Sequence, residues 1–590
     1  MSALRQFDDN PCRPRHFKPP PCTPVVPDGP AKRALDGSRR RLTVAGIAFL
    51  VLFGVIAARL VQVTLIPGDI SVPKIARFDP APLPVPGRAD IIDRNGRLLA
   101  TTIESPSLYA DPRQIVDPAD VTRRLIAVLP ALDRAELFAK LTSGKRFVWV
   151  KRHLTPDQEY AVNQLGIPGL QFEREERRVY PYGNLLSHVV GYTGIDDNGL
   201  AGIERGLDSQ LRGRQEPLQL SIDLRIQYIL HDEMQKVMDE FTADNAGGLV
   251  MNVNTGEILA MVSLPDFDPN HPGMPDPQHP NYSIADRMFN RVTLGDYEIG
   301  SMFKIFTTAM ALDCGATTMT GRFDATNPIH IGRFTISDYH GKHRWESVPE
   351  ILMYSSNIGE AKIALAVGAE RQQEYLRRFG LMTRPTLELK EIGTPHYPAH
   401  WREVNVMTIG FGHGISETLL QLANAASALV NGGILRQATL LKLPPGAAPQ
   451  GRRVISPETS LEMRQLLRLV VQYGTGQMVN APGYVVGGKT GTADKVVHGR
   501  YAEHQVRSSF VGVFPINAPK YLVLIMLNNP HGTKASYGYA TAGWTAAPAV
   551  GRTIVRIAPL LHVQPVDESS PAIADALMPV SLRGKHIEAY

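Results

Sequence analysis

The chain has 590 residues, of which 20% are charged and 43% hydrophobic, and its net charge is +5. This length exceeds a single hydrophobic core, so we expect two or three folded units with tails. The composition is ordinary for globular protein and argues against bulk disorder. So small a net charge for this length also argues against a dedicated nucleic-acid-binding protein, which would carry a denser basic surface.

An apolar segment near the N-terminus predicts a membrane anchor. No charged residue lies between Leu42 and Ala58, and apolar residues continue to Ile66 if Arg59 extends to the interface. A spanning helix needs about 20 apolar residues, so residues 42–66 suffice for one transmembrane helix. A cleaved signal peptide and a buried core helix are the alternatives. The long Pro-rich stretch ahead of the segment argues against the first, and the one-sided placement of charge against the second.

The charges around this segment predict its orientation. Basic residues crowd its N-terminal side, which places residues 1–41 in the cytoplasm and the sequence after Ile66 outside it. Residues 67–87 are rich in proline and are typical of an extended stalk. We therefore expect an inner-membrane protein whose folded regions are extracytoplasmic.

Beyond the stalk, the sequence predicts two folded regions and a tail. The first region, residues 67–217 with the stalk included, shows mixed short helices and strands, with a hairpin turn at Asn95-Gly96. The second region, residues 218–562, opens with a short strand that leads through Asp223 into a long amphipathic helix. Residues 563–590 are interpreted as a C-terminal tail.

Hairpins at both ends of the second region predict its sheet. Two apolar runs flank residues 254–256, and two more flank residues 517–519, with helical patterns between the hairpins. A sheet assembled from both ends of one region, with helices between, is an α+β arrangement. We predict a mixed α/β first domain, followed by an α+β domain whose central antiparallel sheet is flanked by helices.

The stretch YEIGSMFK places a serine and a lysine three residues apart at the start of an apolar helix. Ser301 and Lys304 therefore fall on one face of the first turn. A serine hydroxyl becomes a nucleophile when a base takes its proton, and a lysine can be that base only when burial or nearby positive charge lowers its pKa. The spacing alone is weak evidence, because Ser71 and Lys74 show it too, around a proline and without a helix.

A second stretch, MYSSN, supplies Ser355 and Asn357 just before another helix. A Ser-x-Asn on a tight turn offers a hydroxyl that can relay a proton and an amide that can hold a substrate carbonyl. The alternative is a serine that only caps the helix, and this interpretation also suits Ser356.

A third stretch, GYVVGGKTGTADK, fits two signatures. Read from Gly483 it matches a phosphate-binding loop, and read from Lys489 it matches the Lys-Thr-Gly of penicillin-interacting enzymes. A phosphate loop must follow a buried strand and open a helix, yet a Pro-containing segment precedes Gly483 and no helical period follows before Arg500. We therefore interpret residues 484–493 as a strand.

On such a strand each residue of the motif has a use. Lys489 supplies a fixed cation, Thr490 a hydroxyl, and Gly491 a surface that a ligand can approach closely. The backbone N–H groups of Ser301 and Thr492 could hold a developing oxyanion. The order of the three motifs along the chain is far more specific than any one of them and indicates acyl transfer by a serine.

With these motifs the chain resembles the class B penicillin-binding proteins, which are D,D-transpeptidases. RADIIDRNGRLLA, RRVYPYGNLLSHVVGYTG and GLAGIERGLDSQLRG are similar to the family's non-catalytic pedestal, or dimerisation-type, domain. LSIDLRIQ, YEIGSMFK, YSSN, GFGHGIS, GGKTGTADK and TAGWTAAP are similar to its transpeptidase domain. The similarity extends from Arg88 to about Pro548, and within the family it is to the septal FtsI, or penicillin-binding protein 3, type.

The resemblance implies a mechanism that needs no cofactor and no metal. Ser301 would attack a stem peptide and form an acyl-enzyme, which an amine from a neighbouring stem would then resolve. Lys304 would be the base for acylation, although the assignment of that role is disputed in related enzymes. Ser355 would relay a proton, Asn357 would hold the substrate amide, and Lys489 and Thr490 would bind the terminal carboxylate. β-Lactams would acylate the same serine.

The resemblance also implies partners and rivals. Expected partners are peptidoglycan stem peptides, β-lactams, an FtsW-type glycosyltransferase, FtsN and the FtsQ-L-B group at the division septum. A β-lactamase, a membrane-bound β-lactam sensor, an elongation-type relative and a catalytically idle division scaffold are the alternatives. The long anchored pedestal argues against a β-lactamase, and the short cytoplasmic tail argues against a sensor.

The sequence offers little for a metal site. Three cysteines are too few for a zinc site built from cysteine ligands. Two histidine pairs have metal-like spacing, but we interpret them as structural or solvated, because neither carries the glutamate of a zinc-protease helix. The pairs are His340 with His343, and His396 with His400.

Overall fold

The computed structural model describes residues 30–65, 87–275, 280–332, 334–497, 500–584 and 586–590. The chain divides into two compact units, Met1–Leu83 and Pro84–Tyr590. Almost all of the predicted stalk, the Ser71 to Lys74 pair, Cys12 and Cys22 lie outside the described residues, as does most of the predicted cytoplasmic tail. The predicted domain boundaries stay predictions.

The first unit contains a long apolar helix, α1 (Pro30–Leu65). Within it, Gly37–Val61 is long and apolar enough to cross a membrane. Its large apolar side chains, from Leu42 to Val61, are exposed to more than 45% of their surface. A helix with so much exposed apolar surface is stabilised by an apolar surrounding, so α1 suits a single-pass anchor.

The second unit begins with a domain of short helices packed on a twisted sheet. Its elements, in chain order, are β1 (Ile91–Ile92), β2 (Leu98–Ala110), α2 (Pro118–Val128), α3 (Arg134–Leu141), β3 (Val148–Lys151), α4 (Pro156–Asn163), β4 (Leu170–Val179), α5 (Ser187–Val190), α6 (Gly202–Gly206), α7 (Asp208–Leu211) and β5 (Leu218–Gln219). The predicted hairpin at Asn95-Gly96 joins β1 to β2, and Gly96 has the positive φ of 84° that such a turn favours. Strand β4 pairs with β2 along its whole length.

Three motifs of this first domain meet in a buried charge cluster. The carboxylate of Glu204, on α6, accepts a hydrogen bond from Arg88 and another, of 2.7 Å, from Arg178 at the end of β4. Glu204 and Arg88 are fully buried, and Arg178 is nearly so. Burial alone would lower the pKa of Arg88, but Glu204 and Asp208 together raise it above its ordinary value. The cluster therefore joins Arg88 and Glu204, which are 116 residues apart, by paired charges in addition to the apolar core around them.

The remaining elements form the larger domain. In chain order they are α8 (Leu224–Glu240), β6 (Asn245–Asn252), β7 (Ile258–Leu264), α9 (Ile284–Met288), β8 (Asp296–Tyr297), α10 (Lys304–Asp313), β9 (Arg322–Asp324), β10 (Ile329–Ile331), β11 (Phe334–Ile336), β12 (Trp345–Ser347), α11 (Val348–Tyr354), α12 (Asn357–Val367), α13 (Ala369–Arg378), α14 (Glu403–Gly410), β13 (Glu417–Thr418), α15 (Leu419–Val430), β14 (Ile434–Leu435), β15 (Arg452–Arg453), α16 (Pro457–Gln472), β16 (Gly487–Val497), β17 (Arg500–Phe514), β18 (Tyr521–Asn528), α17 (Ala546–Ile557) and α18 (Pro571–Leu577).

A central antiparallel sheet with the order β16-β17-β18-β6-β7 confirms the prediction that both ends of this region build one sheet. Successive side chains of a strand point to opposite faces. On β18, Leu522, Leu524 and Met526 join the core that includes α10, α15 and α16. Val523, Ile525 and Leu527 join the core beneath α8 and α17. Helices therefore cover both faces of the sheet, which is the predicted α+β arrangement.

The structure corrects one detail of this domain, the start of a strand. Strand β16 begins at Gly487, whereas a strand from Tyr484 was predicted. The cause is Glu568, whose carboxylate accepts hydrogen bonds from the N–H groups of Gly483 and Val485 and so holds this segment out of the sheet. The residues interpreted as a tail are accordingly packed on the domain, and Glu568 also pairs with Arg468 of α16 at 2.5 Å.

Candidate active site

Ser301 stands on a 3₁₀ turn, Gly300–Phe303, that leads directly into α10. Gly300 has a φ of 54°, in the left-handed region, and a Cβ there would lie 2.6 Å from the carbonyl oxygen of Thr492 on β16. A Cβ on Gly491 would likewise lie 2.7 Å from the carbonyl oxygen of Ile299. Glycine at both positions therefore lets the turn lie directly against the strand, which brings Ser301 beside the Lys-Thr-Gly motif.

Lys304 begins α10 and is fully buried. Its Nζ donates hydrogen bonds to the Ser355 carbonyl at 2.5 Å, to Asn357 Oδ1 at 2.8 Å and to Ser355 Oγ at 3.2 Å. Burial lowers the pKa of Lys304 to about 8, although the nearby carboxylates of Glu360 and Asp338 act in the opposite direction. The lowered pKa therefore increases the unprotonated fraction of this amine near neutral pH, which is the form that a general base requires.

Ser355 ends α11 in the left-handed conformation, with a φ of 61°. Ser356 caps α12 by accepting a hydrogen bond from the N–H of Gly359 at 2.9 Å, which is the capping role that the sequence suggested for it. The sharp turn between α11 and α12 thus gives two adjacent serines different roles. Ser355 contacts Lys304, and Ser356 caps the N-terminus of α12.

Lys489 on β16 approaches the same hydroxyl from the sheet. Its Nζ donates to Ser355 Oγ at 3.0 Å and to Thr490 Oγ1 at 3.2 Å, and Thr490 Oγ1 bonds Thr475 Oγ1 at 2.7 Å. Burial, and then the positive charge of Lys304, lower the pKa of Lys489 well below its usual range. Two buried amines thus lie within 3.2 Å of one hydroxyl, and their mutual repulsion disfavours the state in which both are protonated.

A cleft of about 850 Å³ opens above these residues. Its walls include five residues that the sequence analysis singled out, which are Ser301, Ser355, Asn357, Thr490 and Thr492. Lys304 and Lys489 are buried and reach the cleft through Ser355, and Gly491 supports the Ser301 turn. The structure therefore brings all the predicted side chains to one place, although Lys304 Nζ bonds Ser355 and Asn357 rather than Ser301.

Sequence reasoning missed the acidic residues of the site. Asp338 lies in the loop after β11, and its carboxylate accepts hydrogen bonds from Ser356 Oγ at 2.7 Å and from the N–H groups of Asn357 and Ile358 at 2.5 and 2.9 Å. An anion at the first N–H groups of α12 also complements the helix dipole. Asp338 thereby fixes the turn that carries Ser355 and Asn357.

Glu360 was missed as well, although its position three residues after Asn357 on α12 could have suggested it. It is fully buried and accepts a hydrogen bond from Thr308 Oγ1 at 3.0 Å. Burial raises the pKa of Glu360 to about 8, while Lys304 opposes that rise. Glu346, on β12 at the edge of the cleft, has its pKa raised to about 7 by burial and by the negative charge of Asp338. The lysine pair therefore has a buried carboxyl group close by.

Replacement of Asp338 by asparagine should disturb the turn without opening a cavity. A loss of one charge-assisted acceptor at the start of α12 costs about 1–3 kcal/mol, and a displacement of Ser355 and Asn357 by about 1 Å can cost about 100-fold in acylation rate. The measurement is the second-order rate of labelling by a fluorescent penicillin. Asp324→Asn is the matched control, because that carboxylate also accepts from a backbone N–H, at Thr326, but lies outside the cleft lining. Equal labelling rates for Asp338→Asn and Asp324→Asn would contradict the positioning role.

Two family models match the chain. The penicillin-binding protein dimerisation domain matches residues 84–236, and the penicillin-binding protein transpeptidase domain matches residues 246–551. Together they cover both domains of the second unit. The second match contains every candidate site residue described above.

Curated relatives and solved structures agree with these matches. The probable peptidoglycan D,D-transpeptidase FtsI of Caulobacter vibrioides is 42% identical over 81% of this chain and 82% of its own length. The probable peptidoglycan D,D-transpeptidase PenA of Neisseria meningitidis is 33% identical over 77% of this chain and 82% of its own.

Among solved structures, the transpeptidase domain of penicillin-binding protein 3 from Burkholderia pseudomallei is 30% identical. It covers 59% of this chain and 97% of its own, with a TM-score of 0.52. Penicillin-binding protein 3 from Mycobacterium tuberculosis, complexed with aztreonam, shares the fold over 81% of this chain and 97% of its own, with a TM-score of 0.62 at 24% identity. The chain belongs to the class B penicillin-binding proteins of the FtsI type.

Proposed function

We propose that this protein is a peptidoglycan D,D-transpeptidase that cross-links stem peptides through an acyl-enzyme on Ser301. The observation that carries the proposal is the meeting of two buried lysines at the Ser355 hydroxyl, in the same cleft that Ser301 lines. The curated relatives from Caulobacter and Neisseria are named as probable enzymes of this class.

In the first step Ser301 Oγ attacks the carbonyl carbon of the penultimate D-Ala of a donor stem peptide. The serine proton passes to an unprotonated lysine, and the oxyanion is held by the N–H groups of Ser301 and Thr492. The C–N bond then breaks, an ester forms on Ser301, and the terminal D-Ala leaves after its amine takes a proton through the Ser355 hydroxyl. Asn357 holds the amide of the donor through its side chain.

The lysine pair gives a physical reason why Lys304 becomes a base when the donor peptide binds. Both Nζ atoms bond Ser355 Oγ, so a proton on one raises the cost of a proton on the other. A donor peptide ends in a carboxylate, and Thr490 and Thr475 next to Lys489 offer hydroxyl groups for it. The arrival of that negative charge favours the protonated form of Lys489 and therefore the neutral form of Lys304, which is then ready to act as base.

In the second step an amine from a neighbouring stem peptide, such as that of diaminopimelate, attacks the ester carbonyl. A new amide bond forms, the Ser301 oxygen recovers its proton through the same lysine and serine, and the cross-link is released. The proton that leaves Ser301 in acylation departs with the released D-Ala, and the attacking amine supplies the proton that Ser301 takes back in deacylation, so protons balance over the cycle.

A fluorescent penicillin tests the proposal on the full-length protein. We expect one labelled residue, Ser301, when the adduct is digested and mapped, and an adduct that outlasts the labelling reaction by hours. Labelling at another residue, or no labelling, would refute the acyl-enzyme on Ser301. Release of hydrolysed penicillin within seconds would instead favour a β-lactamase.

The same proposal extends to the place where the protein acts. The basic residues in the N-terminal part of α1, ahead of its apolar segment, support an inner-membrane protein with a cytoplasmic N-terminus and an extracytoplasmic cleft. Membership in the FtsI type supports a role at the division septum with an FtsW-type glycosyltransferase, FtsN and the FtsQ-L-B group as partners. The match to a transpeptidase domain supports the cross-linking activity. We assign strand polymerisation to the FtsW-type glycosyltransferase.

A further inference from the structure

The last residues of the chain return to the candidate active site. Tyr590 lines the same cleft as Ser301, with its ring 5.9 Å from that of His340. Its backbone N–H donates to the carbonyl oxygen of Tyr473 at 2.7 Å. Tyr473 is two residues before Thr475, which bonds Thr490 of the Lys-Thr-Gly motif. Tyr590 therefore lies at the edge of the region proposed to receive a donor carboxylate.

Glu588 holds this segment against residues on and just before α11. Its carboxylate pairs with Lys342 at 3.2 Å and with Arg344 at 3.4 Å, and its backbone carbonyl accepts a hydrogen bond from the Tyr354 hydroxyl at 2.7 Å. Tyr354 is the residue directly before Ser355, so its hydrogen bond to Glu588 lies next to the turn between α11 and α12. Lys342 also lies 4.7 Å from the centre of the Tyr354 ring. Two cations and a phenol thus form a recognition surface for one acidic residue.

These contacts are weak enough to be released. The Glu588 side chain is 53% exposed, and ion pairs with this much solvent contribute about 0–1 kcal/mol each. Tyr590 keeps 48% of its surface exposed, and Ile587 is the one apolar side chain of residues 586–590 that packs, partly buried, against the core. We therefore expect residues 586–590 to exchange between a docked and a free state rather than to remain bound at the cleft permanently.

We propose that the rim formed by Lys342, Arg344, Tyr354 and Tyr473 is a docking surface for residues 586–590 of the same chain. The docked segment, residues 586–590, competes with acyl donors for the cleft. The two occupants would use the same part of the cleft, because Tyr590 lines it together with Thr475 and Thr490, where the donor carboxylate is proposed to bind. The inference rests on the proposed function, since it takes the cleft as the donor site.

Removal of the segment tests the competition. A stop codon in place of His586 leaves α18 and its packing intact, and the readout is the rate of Ser301 acylation by a fluorescent penicillin below saturation. A segment docked in about 70–90% of molecules leaves only the remainder open, so its loss should raise the rate about threefold to tenfold. High salt should raise the rate of the full-length protein in the same direction, because it screens the Glu588 ion pairs, and should change the truncated form little.

A point variant keeps the test independent of any folding defect in the truncated form. Glu588→Gln removes the ion pairs to Lys342 and Arg344 and should raise the acylation rate by part of the truncation effect. Glu159→Gln is the matched control, because Glu159 also forms a surface ion pair, with Arg174 at 3.1 Å, but in the first domain. Equal or lower rates for the truncated form and Glu588→Gln would overturn the docking alone. Absence of label in every form would overturn the proposed function itself.

Discussion

Replacement of Lys304 by arginine is expected to lower the rate of Ser301 acylation by about a thousandfold or more. A general base contributes about 10²–10⁴ in rate, and an arginine side chain cannot give up its proton in a protein. The native amine can do so because burial lowers its pKa to about 8. Lys304→Met, which keeps the length of the side chain but has no base, should show the same loss and excludes an effect of the bulk of arginine alone. The measurement is the second-order rate of labelling by a fluorescent penicillin.

The pH dependence of the same reaction gives an independent readout. The base form of Lys304 increases as the pH rises, so the acylation rate of the native protein should climb with pH and level off above about 8. The residual rate of Lys304→Arg should lack this rise. Lys362→Arg is the matched control, since Lys362 lies on α12 outside the cleft lining and bonds the Asp324 carbonyl instead. A Lys304→Arg protein within tenfold of the native rate, with the same pH profile, would show that another group is the base.

The sequence predicts those parts of the site whose secondary structure is determined by residues close by in the chain. Gly300 before Ser301 indicates a turn, the apolar period after Lys304 indicates a buried helix, and the buried strand around Thr490 indicates a sheet. The hairpins at residues 254–256 and 517–519 predict which strands pair, because turn residues and apolar runs lie side by side in the sequence. The family resemblance then supplies the order in which these segments meet.

The parts that the sequence does not predict depend on contacts between distant segments. Asp338 has no periodic neighbours and sits among short strands, so its position at the start of α12 follows only from the folding of that loop onto the helix. Glu568 lies in a polar stretch, yet it decides where β16 begins by binding the N–H groups of Gly483 and Val485. A strand propensity in residues 484–486 was overridden by this tertiary contact.

The buried charge cluster of the first domain shows the same dependence on distant segments. Arg88, Arg178 and Glu204 belong to separate motifs, and each motif alone indicates only a charged surface residue. Together they are buried where β1, β4 and α6 meet, and the Arg178 guanidinium also donates to the Ala89 carbonyl at 2.8 Å. Because the larger domain begins directly after β5, which pairs with β1, this cluster lies close to the connection between the two domains.

Glu204→Ala should therefore give the largest loss of stability. Removal of one partner from a buried ion pair costs about 3–5 kcal/mol, and here it leaves the buried guanidinium of Arg178 without a carboxylate and that of Arg88 with Asp208 alone. The measurement is urea unfolding of the detergent-solubilised chain, and the midpoint should fall well below that of the native protein. Ser301 labelling of the fraction that remains folded should keep its native rate, because Glu204 does not line the cleft.

Two further variants separate charge from shape in this cluster. Glu204→Gln keeps the volume and can still accept hydrogen bonds, yet it leaves Arg178 uncompensated and Arg88 with Asp208 alone, so we expect most of the loss seen with alanine. Glu136→Ala is the matched control, because its pair with Lys140 is largely exposed on α3 and is worth about 0.3–0.5 kcal/mol. If Glu204→Gln unfolds at the native midpoint while Glu204→Ala does not, packing rather than paired charge holds the cluster together.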